Sequence, residues 1–281
     1  MPADKLTLLC PRLSRQFEKI ADRKGKPKAG YSRFLDLRSE CKLPTFLYHG
    51  GFYNDINKLE FIDVAHLGLS RITELADEIF GALWATRIFR IDWCVDLLGV
   101  PLMDLALYCR IPFAQNCSVE RSRSGVTVYL RRSKDNVLLV YDRLARLKST
   151  GAPLVKIYDG KDYLTRVEVQ FRGGGVPIRR FSNIRKYARI DLLPDLAFWK
   201  LPLKRHGLRP IESLAAEGLL NRIQNLGLQA TSKTFSSQEW AYLTKKFLQQ
   251  RPERELPDLN ELMRKSTWEW LNDRVRFPRG R

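Results

Sequence analysis

The amino-acid sequence predicts an α+β fold, with an antiparallel sheet at the centre of the core, flanking helices and a helical C-terminal part. Strand-like segments and helical segments are segregated along the chain rather than alternating, which is typical of this class. A hydrophobic content of 44% and an aromatic content of 11% support a folded core, because disordered chains of this charge contain far fewer apolar residues. The 281 residues allow one large domain with an appendage, or two small domains.

Alternation of polar and apolar residues predicts four strands in the middle of the chain. They are Ile88–Leu97, Gly125–Arg132, Val137–Arg143 and Thr165–Arg172. In the first and the last, charged and apolar residues alternate, as on a sheet with one packed face and one exposed face. The polar link Ser133–Asn136 predicts that the second and third strands form a hairpin.

Apolar residues at helical spacing predict an amphipathic helix over residues 69–89. Three further helices are predicted near the C-terminus, at residues 211–226, 237–250 and 258–275. Either Ser236 or Ser237 can cap the second of these before Glu239. These patterns predict a basic N-terminal arm over residues 1–35 (a short helix, then a flexible segment), an α+β core over residues 36–205, and a helical region with a basic tail over residues 206–281.

The charge of the chain predicts a polyanionic partner. The formal net charge is +18, from 49 Lys and Arg against 31 Asp and Glu. Solubility needs only a few units of net charge, whereas phosphate neutralisation with counterion release uses many cations. The alternative is a protein that is basic without a nucleic-acid partner. No CxxC pair joins the five cysteines and no segment is typical of a signal peptide or a membrane span, so a cytoplasmic protein without membrane contact is expected.

Two segments concentrate the positive charge. Residues 121–148 carry eight Lys or Arg against two acids, and residues 169–190 carry six and no acid. Like charges at this density repel one another unless an anion lies between them. We therefore expect phosphate contacts, against the alternative of a solvated basic face. The candidate DNA-binding residues are Arg121, Arg123, Arg131, Arg132, Lys134, Arg172, Arg179, Arg180, Arg185, Lys186 and Arg189.

Three carboxylates are candidate metal ligands. Asp92 and Asp96 lie four residues apart in one predicted strand and therefore share a face, and Glu168 lies on the last predicted strand. If those strands are neighbours, the carboxylates converge on a site suited to Mg²⁺ or Mn²⁺, which polarises a phosphodiester. The alternative is that the carboxylates pair with the arginines beside them.

Tyrosine is the candidate nucleophile for DNA cleavage, because a phosphotyrosine ester conserves the bond energy for rejoining. The candidates are Tyr129, Tyr141, Tyr158, Tyr163 and Tyr187. Cations surround Tyr187 in sequence and could hold a phosphate and lower its pKa. Tyr141 lies in a strand motif, where packing or orienting a neighbour is the competing role.

Three motifs, in order between Arg90 and Ile178, resemble the replication initiation factor family (the Rep_trans type) of rolling-circle plasmids, filamentous phages and integrative elements. The stretch RIDWCVDL from Arg90 resembles the family's "RxD…D" strand, and TVYLRRS with VYDR, from Thr127 to Arg143, resembles its hairpin. The stretch RVEV from Arg166, followed by VPI, resembles its "RxE" strand.

The resemblance implies a nicking-type core, a metal site of Asp92, Asp96 and Glu168, Arg143 near the scissile phosphate, and a covalent tyrosine intermediate. It also implies origin or single-stranded DNA as partner, with a helicase, other replication proteins or a second copy as further candidates. The sequence departs from the family where Arg131 replaces a glycine. It departs again where residues 173–177 hold Gly-Gly-Gly-Val-Pro instead of tyrosines.

Three functions remain open from the sequence. The first is an initiator that nicks and rejoins one origin strand, with Tyr187 as nucleophile, Tyr141 and Arg143 beside the site, and the C-terminal helices serving origin recognition or dimer contacts. The second is a catalytically inactive descendant that binds DNA as a subunit of a nucleoprotein complex. The third is an RNA-binding protein that stacks bases on sheet aromatics such as Tyr129 and Trp93.

Overall fold

The structure is a computed structural model that describes residues 3–28, 31–38, 45–51, 56–62, 64, 67–102, 109–110, 116–122, 125–131, 133–150, 162–192, 197–200, 207–247, 249–250 and 258–273. The chain divides into two compact units, each built from separate segments. The first comprises Met1–Cys94, Gln170–Leu192 and Glu261–Arg281, and the second comprises Val95–Val169 and Leu193–Asn260. The domain boundaries at residues 35 and 205 stay a prediction.

Six strands form the sheet of the first unit, in the hydrogen-bonded order β2-β3-β4-β5-β1-β6. Their bounds are β1 (Ala3–Cys10), β2 (Lys26–Lys28), β3 (Tyr31–Asp36), β4 (Thr45–Gly51), β5 (Asn57–Ile62) and β6 (Arg87–Leu98), of which the last continues beyond this unit. Neighbouring strands within this order pair antiparallel. Alternate residues of the central strands, such as Leu6, Leu8 and Ile91, are buried on one face.

Helices α1 (Arg15–Lys24), α2 (Leu69–Phe80) and α7 (Leu259–Leu271) contribute buried side chains to the core of this unit. The buried side chains of α2 recur at helical spacing, as the sequence predicts, but the helix ends nine residues before the expected Phe89. Gly81 adopts a left-handed conformation with φ 63° and donates its N–H to Asp77, which closes the last turn. Leu83 therefore lies in a separate 3₁₀ turn, Leu83–Ala85.

The expected N-terminal arm is wrong in its local structure. Strand β1 precedes α1 and lies between β5 and β6, and its residues Leu6, Leu8 and Cys10 are fully buried. Strands β2 and β3 follow the helix, where a flexible segment is expected. The charged residues of this segment obscure the pattern of its apolar residues in the sequence. In the structure these apolar side chains are buried at every second position, as in a strand of a sheet.

The second unit contains the strand order β6-β11-β10-β9-β8 and a small sheet of order β13-β12-β7. The strands are β7 (Cys109–Arg110), β8 (Asn116–Ser122), β9 (Gly125–Arg131), β10 (Asn136–Asp142), β11 (Leu164–Arg172), β12 (Ala197–Lys200) and β13 (Gln249–Gln250). The helices are α3 (Arg143–Thr150), α4 (Pro210–Leu226), α5 (Leu228–Ser232) and α6 (Ser237–Phe247). The predicted hairpin is confirmed, since β9 and β10 pair antiparallel.

The four predicted strands and the three predicted C-terminal helices are all present, with ends that differ by a few residues. Ser236 is the cap of α6: its hydroxyl accepts the backbone N–H of Glu239, whose carboxylate accepts the N–H of Ser236. Antiparallel sheets flanked by helices confirm the α+β class. Among the described helices, none has the length and apolar character needed to cross a membrane.

Candidate nucleic-acid interface and buried polar cluster

Asp92 is a buried carboxylate of the first unit and is held by its strand neighbour Arg90. The Nε atom of Arg90 donates to Oδ1 and Oδ2 of Asp92, at 2.8 and 3.0 Å. Residues two apart on a strand share a face, so the RxD spacing itself creates this pair. For Asp92 the structure therefore shows the alternative, in which the carboxylate pairs with the arginine beside it.

Asp96 and Arg166 form a bidentate ion pair in the second unit. Nε of Arg166 lies 2.6 Å from Oδ1 of Asp96, and Nη2 lies 2.8 Å from Oδ2. Arg166 is 0% exposed. A buried guanidinium needs this compensation because the cost of removing its charge from water is several kcal/mol.

Glu168 accepts a hydrogen bond from a tyrosine on a nearby strand. The hydroxyl of Tyr141 donates to Oε2 of Glu168 at 2.9 Å, and both side chains are buried. The guanidinium of Arg146 lies 5.0 Å from the ring centroid of Tyr141. The contacts of Tyr141 thus correspond to its competing role, in which the side chain packs in the sheet and orients a neighbouring residue.

We refer to Asp96, Tyr141, Arg166 and Glu168 as the buried polar cluster. Arg166 and Glu168 are two apart on β11 and share a face, which places the Asp96 pair and the Tyr141 hydrogen bond on that same face. Arg143, expected near a scissile phosphate, is the half-buried first residue of α3 and lies two residues after Tyr141.

Two of the three candidate metal ligands, Asp92 and Asp96, are each held by an arginine. Both oxygens of Asp92 and of Asp96 accept guanidinium hydrogens. Within the described ranges, no group of three or more His, Cys, Asp or Glu side chains is placed to hold a metal. Binding of Mg²⁺ or Mn²⁺ stays a prediction.

Tyr187 is a core aromatic of the first unit. It lies in the 3₁₀ segment Phe181–Arg189, is 1% exposed, and packs its ring against Trp93 with centroids 5.3 Å apart. Trp93 in turn meets Trp270 edge-on at 5.5 Å. The expected lowering of the Tyr187 pKa is wrong: burial raises the pKa, and the backbone N–H of Ile178 opposes that shift only in part.

The other aromatic candidates differ in accessibility. Tyr163, directly before β11, is 51% exposed, whereas Tyr129 is half-buried against the cluster of Val137, Leu139 and Tyr141. Tyr158 lies outside the described residues. Trp93 is fully buried, so the expectation that it stacks nucleic-acid bases is wrong.

Most of the basic residues from Arg172 to Arg189, which belong to the first unit, are exposed. Arg179, Arg180, Arg185, Lys186 and Arg189 are exposed, and Arg172 is half-buried. Arg185 also has a structural contact, because its Nη1 donates to the backbone oxygen of Leu271 at 2.8 Å, at the end of α7.

Arg87, which the sequence does not single out, lies directly opposite Arg180. The two are partners in an isolated antiparallel bridge, held by the N–H of Ile88 donating to the oxygen of Arg179 at 2.6 Å and that of Phe181 donating to the oxygen of Thr86 at 3.0 Å. Both arginines are exposed. Like charges directly opposite one another destabilise an antiparallel pair, and an anion bound between them removes that repulsion.

The predicted basic segment at residues 121–148 is described by the structure only in part. Arg121 is exposed on β8, and Lys134 is exposed in the hairpin link. Arg131 lies in β9 opposite Val137. Arg123 and Arg132 lie outside the described residues.

Comparison with known proteins gives little that bears on this chain. No protein-family model matches it, and no curated protein matches it. A similar solved structure is that of the rolling circle replication initiator protein from Geobacillus stearothermophilus, with 14% identity and a TM-score of 0.41. The match covers 81% of this chain and 97% of that chain. At this TM-score the likeness assigns neither a fold family nor a function.

Proposed function

We propose that the chain is a DNA-binding protein that initiates rolling-circle replication. The observation that carries DNA binding is the bridge between two exposed arginines, Arg87 and Arg180, the second of which lies within residues 169–190, a segment without an acid. A phosphate that accepts hydrogen bonds from both guanidiniums converts a repulsive pair into a binding site. Arg179, Lys186 and Arg189 add further positive charge along the same segment.

Contacts of this kind fix the position of a DNA backbone and do not read its sequence. They predict strong salt dependence, because each neutralised phosphate releases condensed counterions. Origin recognition would then come from elsewhere in the chain, and the C-terminal helices remain the candidates for it.

The catalytic part of the proposal is nicking and rejoining of one origin strand through a tyrosine. The phenolic oxygen bonds to the scissile phosphorus, the bond from phosphorus to the 3′ oxygen breaks, and the phenolic proton ends on the released 3′ hydroxyl. Tyr187 performs this step only if it leaves its contact with Trp93. Tyr163 already reaches solvent and is the second candidate for the same role.

The second candidate function is a DNA-binding subunit that does not cleave. The specific observation in its favour is that Asp92 and Asp96 are each held by an arginine, with Tyr187 buried. Such a protein retains the exposed basic residues around Arg180 and uses the buried polar cluster only to stabilise its sheet.

A nicking assay separates these functions. The substrate is supercoiled and single-stranded DNA that carries the region flanking the coding sequence of this chain, incubated with Mn²⁺ or with EDTA. Wild type, Tyr187→Phe, Tyr163→Phe and Glu168→Gln are compared on denaturing gels that retain covalent adducts.

Loss of the adduct in one tyrosine variant identifies the nucleophile, and its loss in EDTA identifies metal dependence. If the adduct is lost in Glu168→Gln while both tyrosine variants still form it, cleavage depends on the buried polar cluster and the nucleophile is another tyrosine. Salt-sensitive DNA binding without any adduct favours the non-cleaving subunit. Absence of DNA binding contradicts both candidates.

A further inference from the structure

One face of the outer strands of the first unit carries a continuous set of aromatic rings. It consists of Tyr31, Phe34, Phe46 and Tyr48, which we call the aromatic face. Phe34 lies opposite Tyr48 in the β3–β4 register, with ring centroids 5.0 Å apart. Phe34 also stacks on Phe46 at 5.7 Å and 17°, and Tyr31 meets Tyr48 at 5.2 Å.

The rings of the aromatic face are half-buried, so each keeps some surface in contact with solvent. The other face of these strands carries Leu35, Leu47 and Leu59, which lie opposite one another in register and are buried. The core is therefore on the leucine side. The aromatic rings lie on the opposite side of these strands and are not part of this core.

Cations lie over these rings. Lys28 Nζ is 3.9 Å from the ring centroid of Phe34, and Lys58 Nζ is 4.0 Å from that of Tyr48. The guanidinium of Arg38 lies 5.9 Å from the centroid of Phe46. Aromatic surface interleaved with cations is the composition of surfaces that bind single strands, because bases stack on rings while cations contact phosphates.

Two acids on this side are already held by cations. Asp36 accepts hydrogen bonds from Arg38, and Glu60 pairs with Lys5 and with Lys58, the latter at 3.4 Å. Four cations (Lys5, Lys28, Arg38 and Lys58) against these two acids leave an excess of two positive charges. The face is thus positively charged and apolar at once, which matches a chain of unstacked bases with a phosphate backbone.

We propose that the aromatic face is a binding surface for single-stranded DNA, separate from the basic segment around Arg180. The inference rests on the proposed DNA-binding function and adds to it a site and a form of DNA. Duplex DNA keeps its bases stacked inside the helix, so these rings contribute to single-strand binding and not to duplex binding. Single-stranded DNA is also the form that an opened origin presents.

Fluorescence anisotropy with two labelled probes tests the proposal. The probes are an oligo(dT) of about 20 nucleotides, long enough to span one such surface, and a duplex of similar length. The test variant is the double substitution Phe34→Leu with Tyr48→Leu, which keeps apolar side chains in the sheet. The control is Trp84→Leu, since Trp84 is an exposed aromatic of the first unit, outside the aromatic face, with the guanidinium of Arg12 5.4 Å from its ring.

We expect the double variant to bind oligo(dT) roughly tenfold more weakly or worse, the size of a lost base stack, while its duplex affinity and the control are unchanged. Unchanged oligo(dT) affinity in a folded double variant overturns the proposal. Equal losses on both probes overturn it as well. If neither probe binds wild type, the proposed function itself fails.

Photocross-linking of the wild type gives an answer even where the double variant does not fold. An oligo(dT) containing 5-iododeoxyuridine is irradiated on the intact chain, and the adducts are mapped by mass spectrometry. Adducts at Phe34, Phe46 or Tyr48 support the proposal. Adducts found solely outside strands β3 and β4 overturn it.

Discussion

Arg166 lies fully buried with Nε and Nη2 at 2.6 and 2.8 Å from the two oxygens of Asp96. The pair joins the two motifs, "RxD…D" and "RxE", that carry the resemblance to replication initiators, within one unit of the structure. The motif arginine thus compensates the motif aspartate. A metal ion at the site predicted from these motifs would share the Asp96 carboxylate with Arg166.

Removing the charge of Asp96 should destabilise the protein strongly. Asp96→Asn leaves the Arg166 charge buried without its carboxylate, and we expect a loss of about 3–5 kcal/mol in the free energy of unfolding. Urea denaturation followed by circular dichroism measures this loss. Asp36→Asn is the matched control, because it removes the same kind of bidentate pair with Arg38 where the pair is exposed. Equal, small effects of both substitutions would contradict a buried, closed ion pair.

The hydrogen bond from Tyr141 to Glu168 gives a second, smaller prediction. Tyr141→Phe removes a buried donor and should cost about 1–3 kcal/mol, because a buried carboxylate oxygen loses a hydrogen bond that water cannot replace. The shift in denaturation midpoint checks this. Tyr163→Phe removes the same hydroxyl at a 51% exposed position and should change stability little. A wild-type midpoint in Tyr141→Phe would show that Glu168 does not depend on this donor.

Burial of Tyr187 predicts how stability responds to alkaline pH. Its pKa is raised above the ordinary 10.0 in the folded state, so the folded protein retains a proton that the unfolded chain releases. The stabilisation is complete below about pH 10 and is lost as pH rises toward the raised pKa, by up to about 1.4 kcal/mol per pH unit. Urea denaturation near pH 8 and above pH 10 should show a smaller alkaline loss for Tyr187→Phe than for wild type. Identical losses would mean that Tyr187 ionises normally and is accessible.

Local patterns in the sequence predicted much of the fold. Strand alternation located β6, β9, β10 and β11, and the polar link located the hairpin, because the period-two pattern depends only on neighbouring residues. The same reasoning missed β1, whose buried Leu6 and Leu8 are separated by the polar Thr7 and preceded by Asp4 and Lys5. It also extended α2 past Gly81, where a left-handed glycine ends the helix.

The candidate site was less predictable, because it depends on pairs of residues far apart in the sequence. The two-residue spacing of Arg90 and Asp92 left their ion pair as an open alternative, and the structure shows that pair. The contacts of Asp96 with Arg166 and of Arg87 with Arg180 arise from strand pairing across 70 residues or more. Tyr187 was expected beside phosphate because cations flank it in sequence, yet its ring points into the core against Trp93. The aromatic face likewise appears only when β3 and β4 are placed in register.

The salt dependence of DNA binding tests the central claim most directly. The logarithm of the affinity for a labelled duplex is measured against the logarithm of salt concentration for wild type, for Arg87→Ala with Arg180→Ala, and for the control Lys19→Ala, an exposed cation of α1. If the bridge holds phosphate, the double variant should bind more weakly, with a slope shallower by about 1–2 units, and Lys19→Ala should match wild type. A double variant with the affinity and slope of wild type would contradict a phosphate site at this bridge.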